Sequence, residues 1–288
     1  MDKKKILILG SNGRLGSFLS ANLKLDKLKF DILKSRDYEI KLINLKKKIK
    51  TLNQIKPDLI INCSGFTNVD LAEKKKITCK KLNVKCIKIL KKYCDNNSII
   101  LIHFSTDYVF KGKNIYYEPF NKCEPINYYG YTKYLGEREI LKSKNKFFIF
   151  RISWLLSSDK FGFLKKIKNK ILKKKKFNVV SDSYSCPTTV IFINKFLQKN
   201  INIFFNKNLS GIFHLVNPKT LSYFDVAKYI EKITFKKNFN TVNKGKYIHY
   251  KTIALRPKIS KLGMKKTIKY FKLPMNTWKK DIKNLLND

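Results

Sequence analysis

The stretch that decides the fold is Lys5-Ile6-Leu7-Ile8-Leu9-Gly10-Ser11-Asn12-Gly13-Arg14-Leu15-Gly16. Its first half is a short, unbroken apolar run, which is typical of a buried strand in a parallel sheet. Three glycines at a spacing of three residues follow at once, and leucines then recur at helical spacing. Glycines between a strand and a helix let a phosphate approach the backbone N–H groups at the helix N-terminus. The stretch therefore predicts a dinucleotide-binding site in which residues 10–16 hold the phosphates.

The rest of the first 150 residues alternates short apolar runs with helical patterns. Strands are predicted at Lys5–Leu9, Phe30–Leu33, Asp58–Asn62, Ile99–Phe104 and Phe147–Arg151. Helices are predicted at Leu15–Leu25, Leu45–Gln54, Thr78–Tyr93 and Tyr129–Leu141. This alternation is typical of βαβ units, so we expect an α/β fold with a Rossmann-like, doubly wound parallel sheet.

After Trp154 the alternation is less regular. The predicted elements there are Phe163–Lys174, Phe177–Val180, Gly211–Val216, Tyr223–Ile233 and Thr277–Leu286. The sequence has no internal repeat and no flexible linker. We predict a dinucleotide-binding domain over residues 1–154 and a smaller, mainly substrate-binding lobe over residues 155–288 that packs on it. Ligands are expected in the cleft at the carboxyl ends of the strands.

The net charge of +43 raises nucleic acid as a partner. Only five of the 63 positive residues are arginine, however, and arginine is the preferred side chain for bidentate phosphate and base contacts. The lysines are spread along the whole chain beside many Ile, Asn, Phe and Tyr residues, whose codons are A/T-rich. We therefore attribute the charge to base composition and expect no specific nucleic-acid partner. A basic nucleic-acid-binding module remains the alternative that the charge alone favours.

Other partners and compartments are limited by composition. The six cysteines form no Cys-x-x-Cys pair, and with three histidines they show no zinc-ligand spacing, so no metal site is predicted. The longest apolar runs are far shorter than the ~20 residues of a membrane helix. The apolar run at the start of the chain is also too short for a signal peptide. We expect a cytoplasmic protein with no membrane partner.

Two segments carry the residue types of a carbonyl reductase. Ser105-Thr106 follows the fourth predicted strand, and Tyr129-Gly-Tyr-Thr-Lys133 opens the next helix. A tyrosine and a lysine at i and i+4 share one helix face. The lysine's charge is expected to lower the pKa of the phenol from ~10 towards working pH, where it can act as a general acid. A hydroxyl of the Ser-Thr pair would orient the substrate carbonyl.

The Tyr-x-x-x-Lys spacing alone is weak in a chain so rich in lysine. It occurs twice, at Tyr129/Lys133 and at Tyr247/Lys251. Only the first pair follows a Ser-Thr strand end and begins a predicted helix. Position in the fold therefore selects Tyr129 and Lys133.

The chain resembles the dTDP-4-dehydrorhamnose reductase family along nearly its full length. The matching stretches are Gly10–Gly16, Pro57-Asp58, Asn62–Glu73, Ser105–Phe110, Tyr129–Lys133 with Gly136-Glu137, Arg151–Trp154, Pro187-Thr188, Gly211–Leu215, and Arg256-Pro257 with Ser260. The resemblance implies reduction of the 4-keto group of a nucleotide-linked 6-deoxysugar, with dTDP-4-dehydrorhamnose as the expected substrate. It also raises a homodimer as the expected assembly.

The resemblance implies a role for each matched position. The catalytic residues would be Thr106, which polarises the carbonyl, Tyr129, which donates the proton, and Lys133, which bridges to the nicotinamide ribose. The cofactor would be bound by Gly10, Asn12, Gly13, Arg14, Leu15, Gly16, Arg36, Leu42, Cys63, Ser64, Gly65, Tyr129 and Lys133. The sugar nucleotide would be faced by Thr67, Thr106, Asp107 and Trp154.

Cofactor choice depends on the end of the second strand, which reads Lys34-Ser35-Arg36. The family usually has an aspartate near the adenine, and this chain has Lys41 there, followed by Leu42. A carboxylate would repel a 2′-phosphate, whereas a cation pairs with it. We therefore expect NADPH to be preferred and NADH to be accepted as well.

Two other functions use the same fold. A nucleotide-sugar epimerase shares the Tyr/Lys machinery but shows no net turnover of its cofactor. A catalytically silent regulatory subunit would need none of the machinery, and the intact Thr106, Tyr129 and Lys133 count against it. A dehydratase usually carries an acid after the aspartate of this motif, where this chain has Tyr108.

Overall fold

The structure is a computed structural model that describes residues 2–113, 115–159, 162–205, 208–235, 240–275 and 278–287. Its strands are β1 Lys4–Leu9, β2 Phe30–Lys34, β3 Leu59–Asn62, β4 Ile100–Thr106, β5 Tyr116–Tyr117, β6 Phe147–Ile152, β7 Leu155–Leu156, β8 Phe177–Val180, β9 Tyr184–Ser185, β10 Thr188–Thr189, β11 Gly211–His214, β12 Leu221–Ser222, β13 Val242–Gly245 and β14 Ile259–Leu262. Its α-helices are α1 Arg14–Asn22, α2 Ile49–Ile55, α3 Val69–Lys74, α4 Lys76–Lys80, α5 Cys86–Asn96, α6 Tyr128–Ile140, α7 Phe163–Leu172, α8 Val190–Phe204, α9 Tyr223–Phe235, α10 Lys265–Tyr270 and α11 Trp278–Asn287.

A six-stranded sheet with the order β2-β1-β3-β4-β6-β11 forms the centre of the described structure. Every neighbouring pair in it is parallel. The chain leaves β1 for the β2 edge and then returns to the other side of β1 with β3. In open α/β sheets, ligands bind where the strand order reverses in this way, beyond the carboxyl ends of the strands. The topology therefore places a site after β1 and β3.

The central strands of the sheet are buried on both faces because most of their residues are apolar. In β1, Ile6 and Ile8 pack into one hydrophobic cluster, which includes α1, α8 and α9. Leu7 and Leu9 point the other way, into a second cluster with α2 and α5. Alternation of side chains along a strand explains this division, and it is why the strands read as unbroken apolar runs.

The structure confirms the five strands predicted in the first half, with shifts of no more than two residues at their ends. The predicted helix Thr78–Tyr93 is instead divided into α4, a π-helical turn at Lys81–Lys85 and α5. The predicted helix Leu45–Gln54 begins as a 3₁₀ helix, Leu42–Lys48, before α2. Thr277, the predicted first residue of the last helix, lies outside the described residues.

The sequence analysis did not predict α8, a helix of 15 residues. Its sequence begins Val-Ile-Phe-Ile, and such β-branched and aromatic residues are typical of strands. Tertiary packing decides otherwise, because Thr189 caps the helix by accepting a hydrogen bond from the Phe192 N–H, and most of the helix is buried in the larger cluster. Helix α8 contacts α1, and β11 pairs with β6. The chain after residue 154 therefore contributes to the large sheet and its cover as well as to the smaller sheets, and the division at residue 154 stays a prediction.

A buried ion pair fixes α6 against the sheet. Arg151 of β6 donates from Nε to Glu137 Oε1 over 3.0 Å and from Nη2 to Glu137 Oε2 over 2.7 Å. Both side chains are almost fully buried, at 2% and 1% exposure. The guanidinium also donates to the Pro119 carbonyl and lies over the Phe110 ring. A bidentate pair of this kind sets both the position and the rotation of the helix.

Replacement of Glu137 with alanine is expected to lower the free energy of unfolding by about 3–5 kcal/mol, because it leaves the Arg151 guanidinium buried and unpaired. Glu139→Ala on the same helix is the control. Its pair with Lys142 is at the surface, so a loss of ~1 kcal/mol or less is expected. Denaturant unfolding followed by circular dichroism measures both, and similar losses would contradict the importance of the buried pair.

Candidate functional site

A cavity of about 1220 Å³ opens at the carboxyl ends of the central strands. Its walls come from the loops after β1, β3, β4 and β6, together with residues of β9, α9 and the segment 247–260. It therefore lies where the reversal of strand order places a ligand site. Its lining includes both the glycine loop and several tyrosines from the second half of the chain.

The glycine loop packs closely against neighbouring atoms at positions where a side chain would not fit. Gly10 has φ of +85°, and a Cβ there would overlap the Ser64 hydroxyl. A Cβ on Gly16 would overlap the Gly10 carbonyl, so Gly16 serves the close packing of α1 on β1. At Gly13, where α1 begins, a Cβ would meet only the Gly10 carbonyl at 3.4 Å, and among the described residues no side chain caps the helix. Uncapped N–H groups beside an open backbone are suited to bind an anion such as a phosphate.

Ser35, just after β2, holds the loop in place. Its hydroxyl accepts from the Gly10 N–H at 3.1 Å and lies 3.3 Å from the Ser11 hydroxyl. The Arg36 N–H in turn donates to the Ser11 hydroxyl at 3.0 Å. These bonds join the ends of β1 and β2, and both serines are buried. The sequence analysis considered this segment only for its charges and missed the role of Ser35.

The carboxylate of Asp107, directly after β4, is a buried hydrogen-bond acceptor for three hydroxyl groups. Thr106 Oγ1 donates to it at 3.1 Å, Ser153 Oγ at 2.7 Å and Ser260 Oγ at 2.6 Å. Burial raises the pKa of Asp107, and the three hydroxyl donors oppose that rise. The carboxylate thereby joins the ends of β4 and β6 to β14. Ser153 and Ser260 belong to stretches that the sequence analysis matched without giving them a role.

Tyr129 lies at the start of α6, on the wall of the cavity. Asn127 caps the helix by accepting from the Gly130 N–H at 2.8 Å, and a Cβ on Gly130 would overlap the Tyr108 carbonyl. This close approach sets the phenol of Tyr129 edge-on to the Tyr108 ring, with 5.9 Å between the ring centroids. Burial raises the pKa of Tyr129, while a hydrogen bond with Thr106 lowers it. The expected fall of this pKa towards working pH is thus not observed, because burial disfavours the phenolate.

Lys133 lies one turn further along α6 and is 5% exposed. Its Nζ donates to the Phe104 carbonyl at 2.7 Å and lies 3.1 Å from His103 Nε2. Burial lowers the pKa of Lys133 to about 8, against the charge of Glu137, which raises it. An amine with a pKa near neutrality can exchange protons at working pH.

Asn83 in the π-helical turn connects this helix to the loop after β3. Its amide donates to Thr132 Oγ1 at 3.0 Å, and its Oδ1 accepts from the Phe66 N–H at 2.8 Å. Turns with π geometry are frequent at functional sites because they redirect a side chain. The single extra residue in the turn gave no signal in the helical pattern, so sequence reasoning missed Asn83.

The cavity wall contains nearly all of the predicted site residues. The lining includes Gly10, Asn12, Gly13, Arg14, Leu15, Leu42, Cys63, Ser64, Gly65, Thr67, Thr106, Asp107, Tyr129, Lys133 and Trp154. Gly16 and Arg36 are not among the described residues that line it. The Arg36 guanidinium is about half exposed, with its Nε 3.6 Å from Asp37 Oδ1, whereas Lys41 does line the cavity. The roles given to these residues stay predictions.

Trp154 is both a core residue and a wall of the cavity. It packs against Phe163 and Tyr223, with ring centroids 5.1 and 4.2 Å away. Its backbone has φ of +39°, a left-handed conformation that is rare for a bulky residue. Strain of this kind is usually maintained where a side chain must point in a required direction. Here it turns the indole towards the cavity at the end of β6.

The far end of the cavity is lined by residues that the sequence analysis did not assign to the site. They are Val180, Ser183, Tyr184, Ser185, Tyr223, Tyr247, Tyr250, Thr252, Arg256, Pro257 and Ser260. Arg256 forms a bidentate pair with Asp70, with 2.6 Å between Nη2 and Oδ2, and this pair lowers the pKa of Asp70. Tyr247 belongs to a 3₁₀ turn and lies 3.0 Å from Thr252 Oγ1, so Tyr247 and Lys251 do not share an α-helical face. Aromatic rings from distant segments carry no local pattern, which is why only the tertiary structure finds them.

Two further searches concern the described residues alone. No group of three or more His, Cys, Asp or Glu residues there is arranged to hold a metal ion. None of the helices in the described ranges has the length and apolar character to cross a bilayer.

Comparison with known proteins gives consistent matches over the whole chain. The family model described as "RmlD substrate binding domain" matches residues 4–288. The dTDP-4-dehydrorhamnose reductase of Escherichia coli (strain K12) is 28% identical over 291 residues, which cover 98% of this chain and 97% of that protein. The reductase of the same name from Shigella flexneri is 29% identical over 290 residues, with 98% and 97% covered. A crystal structure of dTDP-4-dehydrorhamnose reductase from Bacillus anthracis str. Ames in complex with NADP superimposes with a TM-score of 0.87 at 28% identity, covering 99% of both chains.

Replacement of Ser260 with alanine is expected to lower the free energy of unfolding by about 1.5–3 kcal/mol at neutral pH, because it removes a donor from a buried carboxylate. The loss should shrink as the pH falls and Asp107 becomes protonated, since the hydroxyl donors favour the charged form. Ser185→Ala is the control, because the buried Ser185 hydroxyl has no hydrogen-bond partner among the described residues. Unfolding curves at several pH values measure the difference, and equal losses from both variants would contradict the role of Asp107.

Proposed function

This chain belongs to the family whose model is described as RmlD substrate binding domain, and we propose that it reduces the 4-keto group of a nucleotide-linked 6-deoxysugar, dTDP-4-dehydrorhamnose, with NADPH. One observation carries the proposal: the hydroxyl of Thr106, the phenol of Tyr129 and the amine of Lys133 lie on one wall of a cavity that begins at an uncapped, glycine-bordered helix N-terminus. A reductase needs a dinucleotide and a proton donor at a single site.

The glycine loop fits a dinucleotide. The backbone at Gly13 is open where α1 begins, and Gly10 and Gly16 allow the loop to pass close to β3 and α1. Residues 10–15 would hold the pyrophosphate, Cys63, Ser64 and Gly65 the adjoining part, and Lys133 the nicotinamide ribose. The bound NADPH would supply the hydride for the reduction. The crystal structure of the Bacillus anthracis relative is in complex with NADP, which supports this assignment.

The chain's own residues supply the proton and the orientation. Tyr129 is protonated at neutral pH because burial raises its pKa, so it is ready to donate to the oxygen of a reduced carbonyl. Thr106 lies between Tyr129 and Asp107. Its proton is directed at the Asp107 carboxylate, and one lone pair of its oxygen accepts from the Tyr108 N–H at 3.2 Å. The second lone pair can accept a hydrogen bond from the Tyr129 hydroxyl. Asp107 thus positions Thr106, and through it the phenol.

The aromatic end of the cavity is the proposed place of the sugar nucleotide. Trp154 and Tyr223 form an apolar wall next to Thr106 and Asp107, and the Arg256 guanidinium lies beside them. Such a wall suits the flat faces of a base and a sugar, and a cation suits a diphosphate. We further propose a cytoplasmic location, where nucleotide sugars are reduced, and a homodimeric assembly, which size measurement in solution would test.

Replacement of Tyr129 with phenylalanine is expected to lower kcat/KM by roughly 10²-fold or more, because it removes the proton donor and preserves the ring. The assay follows NADPH absorbance after addition of dTDP-4-dehydrorhamnose. Tyr131→Phe on the same helix is the control, because its half-exposed side chain does not line the cavity. Equal activity in both variants would overturn the assignment, and sugar conversion without net loss of NADPH would indicate an epimerase instead.

Replacement of Lys41 with alanine is expected to weaken NADPH binding about fivefold and to leave NADH binding unchanged, because an exposed ion pair with a 2′-phosphate contributes ~1 kcal/mol. Arg36→Ala should have the smaller effect, since its guanidinium lies beside Asp37 and outside the cavity wall. Lys46→Ala is the control for charge alone, because Lys46 is exposed on the same 3₁₀ helix. Fluorescence titration with both cofactors measures the dissociation constants. Tighter binding of NADH by the wild type, or equal weakening of both cofactors, would contradict recognition of the 2′-phosphate.

A further inference from the structure

We propose that Asn62 and His103 are positioning residues that direct an imidazole N–H at Lys133 and thereby favour the uncharged form of its amine. The proposal rests on the proposed function only in that Lys133 there takes part in catalysis. It concerns two residues to which the sequence analysis gave no role in the reaction. A chain of hydrogen bonds from the Ser64 N–H through Asn62 and His103 fixes which atom donates at each contact.

The first step fixes the amide of Asn62. This residue ends β3 and lies opposite His103 of β4 in the ladder, and both side chains are 1% exposed. The Ser64 N–H lies 3.0 Å from Asn62 Oδ1. A backbone N–H can only donate, so the amide oxygen must face Ser64 and the NH₂ group must face the other way.

The second step fixes the tautomer of His103. Asn62 Nδ2 lies 2.9 Å from His103 Nδ1. Because the amide nitrogen donates, Nδ1 must accept, and a neutral imidazole then carries its proton on Nε2. The ring is neutral because burial holds the pKa of His103 well below its ordinary value, and a positive charge on Lys133 would lower that pKa further.

The third step concerns Lys133. The N–H at His103 Nε2 is directed at Lys133 Nζ, 3.1 Å away, and Nζ also donates to the Phe104 carbonyl. An ammonium group has no lone pair and cannot accept the imidazole proton, whereas an amine accepts it and keeps two protons to donate. The contact is therefore a hydrogen bond only when Lys133 is uncharged. With Lys133 charged, two N–H groups would face each other in a buried site.

The network resists rearrangement. Rotation of the Asn62 amide by half a turn would place its NH₂ group against the Ser64 N–H, so that two donors would face each other. The amide also cannot accept a proton from His103 and pass it on to solvent. The other titratable groups that face Lys133 are Glu137 and Tyr129 on its own helix and the Cys79 thiol of α4. Glu137 is already paired with Arg151, and Cys79 lies 3.2 Å from Thr132 Oγ1. Burial and the imidazole donor therefore prevail over Glu137, and uptake of a proton by Lys133 breaks its bond with His103.

This arrangement sets the pH at which the site acquires its positive charge. A charged Lys133 stabilises a developing phenolate on Tyr129, whereas an uncharged Lys133 does not. By disfavouring the ammonium form, Asn62 and His103 lower the pH at which Lys133 becomes charged. A bound ligand that offers Lys133 a hydrogen-bond acceptor would favour the ammonium form again. Their effect is exerted through Lys133 and not through contact with the substrate.

Histidine side-chain ¹⁵N NMR on the ligand-free protein tests the proposal, since the chain has only three histidines. At pH 9 we expect His103 as the Nε2–H tautomer. His214 is the internal control, because its Nδ1 lies 2.9 Å from the Gly263 carbonyl and must carry the proton. The exposed His249 is assigned with His249→Gln. On lowering the pH, the His103 signals should change with an inflection near pH 8, where Lys133 is protonated.

The variant Asn62→Asp provides the decisive comparison. A carboxylate can only accept hydrogen bonds. One oxygen would therefore accept from the Ser64 N–H, and the other would accept from an N–H at Nδ1 of His103. The imidazole would then present its Nε2 lone pair to Lys133 and favour the ammonium form. We expect the His103 tautomer to reverse and the inflection to move up by about one pH unit or more.

An Nδ1–H tautomer of His103 in the wild type would overturn the proposal, and so would an unchanged tautomer in a folded Asn62→Asp variant. If that variant does not fold, the wild-type tautomer decides alone. A merely structural role of Asn62 would change the melting temperature without reversing the tautomer, and would also overturn the proposal. Because these spectra need neither cofactor nor sugar, an inactive protein with the expected tautomers would refute only the proposed reduction.

Discussion

The Asp107 carboxylate holds the three sides of the cavity together. It ends the strand that forms the floor of the site, and it accepts hydroxyl protons from its own strand, from Ser153 after β6 and from Ser260 of β14. A buried carboxylate without donors would be costly, so these hydroxyl groups must remain in place. The same bonds that stabilise the carboxylate also fix the direction of the Thr106 proton. The position of the reacting hydroxyls and the attachment of β14 therefore depend on one group.

The position of helix α6 depends on a buried ion pair between Arg151 and Glu137. This pair and the hydrogen bonds of Asp107 both involve residues at the end of β6. Arg151 pairs with Glu137 and sets the rotation of the helix, while Ser153, two residues later on the same segment, reaches Asp107. Tyr129 and Lys133 project from the helix so positioned. Their burial is unfavourable to any charge on either, as the opposite shifts of their pKa values indicate. The site thus holds a protonated phenol beside an amine whose pKa is lowered to about 8.

The net charge of +43 does not explain the arrangement of the groups in the cavity. The groups that determine the site are buried and individually paired, whereas most lysines are exposed. A positive surface attracts an anionic cofactor and an anionic nucleotide sugar over a distance of about 10 Å at moderate salt, and that attraction is screened as salt rises. It affects the rate of encounter and not the identity of the ligand.

The sequence by itself determined the elements whose signal is local. The apolar strands and the glycine loop at residues 10–16 follow from spacing within one segment, because a strand buried on both faces and a βα phosphate turn impose their patterns on neighbouring residues. The pair Tyr129/Lys133 needed its position as well, after a Ser-Thr strand end and at the start of a predicted helix. The tertiary structure alone decided what depends on residues far apart in the chain. Ser35 meets the glycine loop, and Asn62 meets His103 beside Lys133, because parallel strands end at one edge of the central sheet. Ser260 reaches Asp107 from β14, a strand of the separate four-stranded sheet. It also decided that Val190–Phe204 is a helix and that Lys41, and not Arg36, is among the described residues that line the cavity, since packing and not local preference fixes such arrangements.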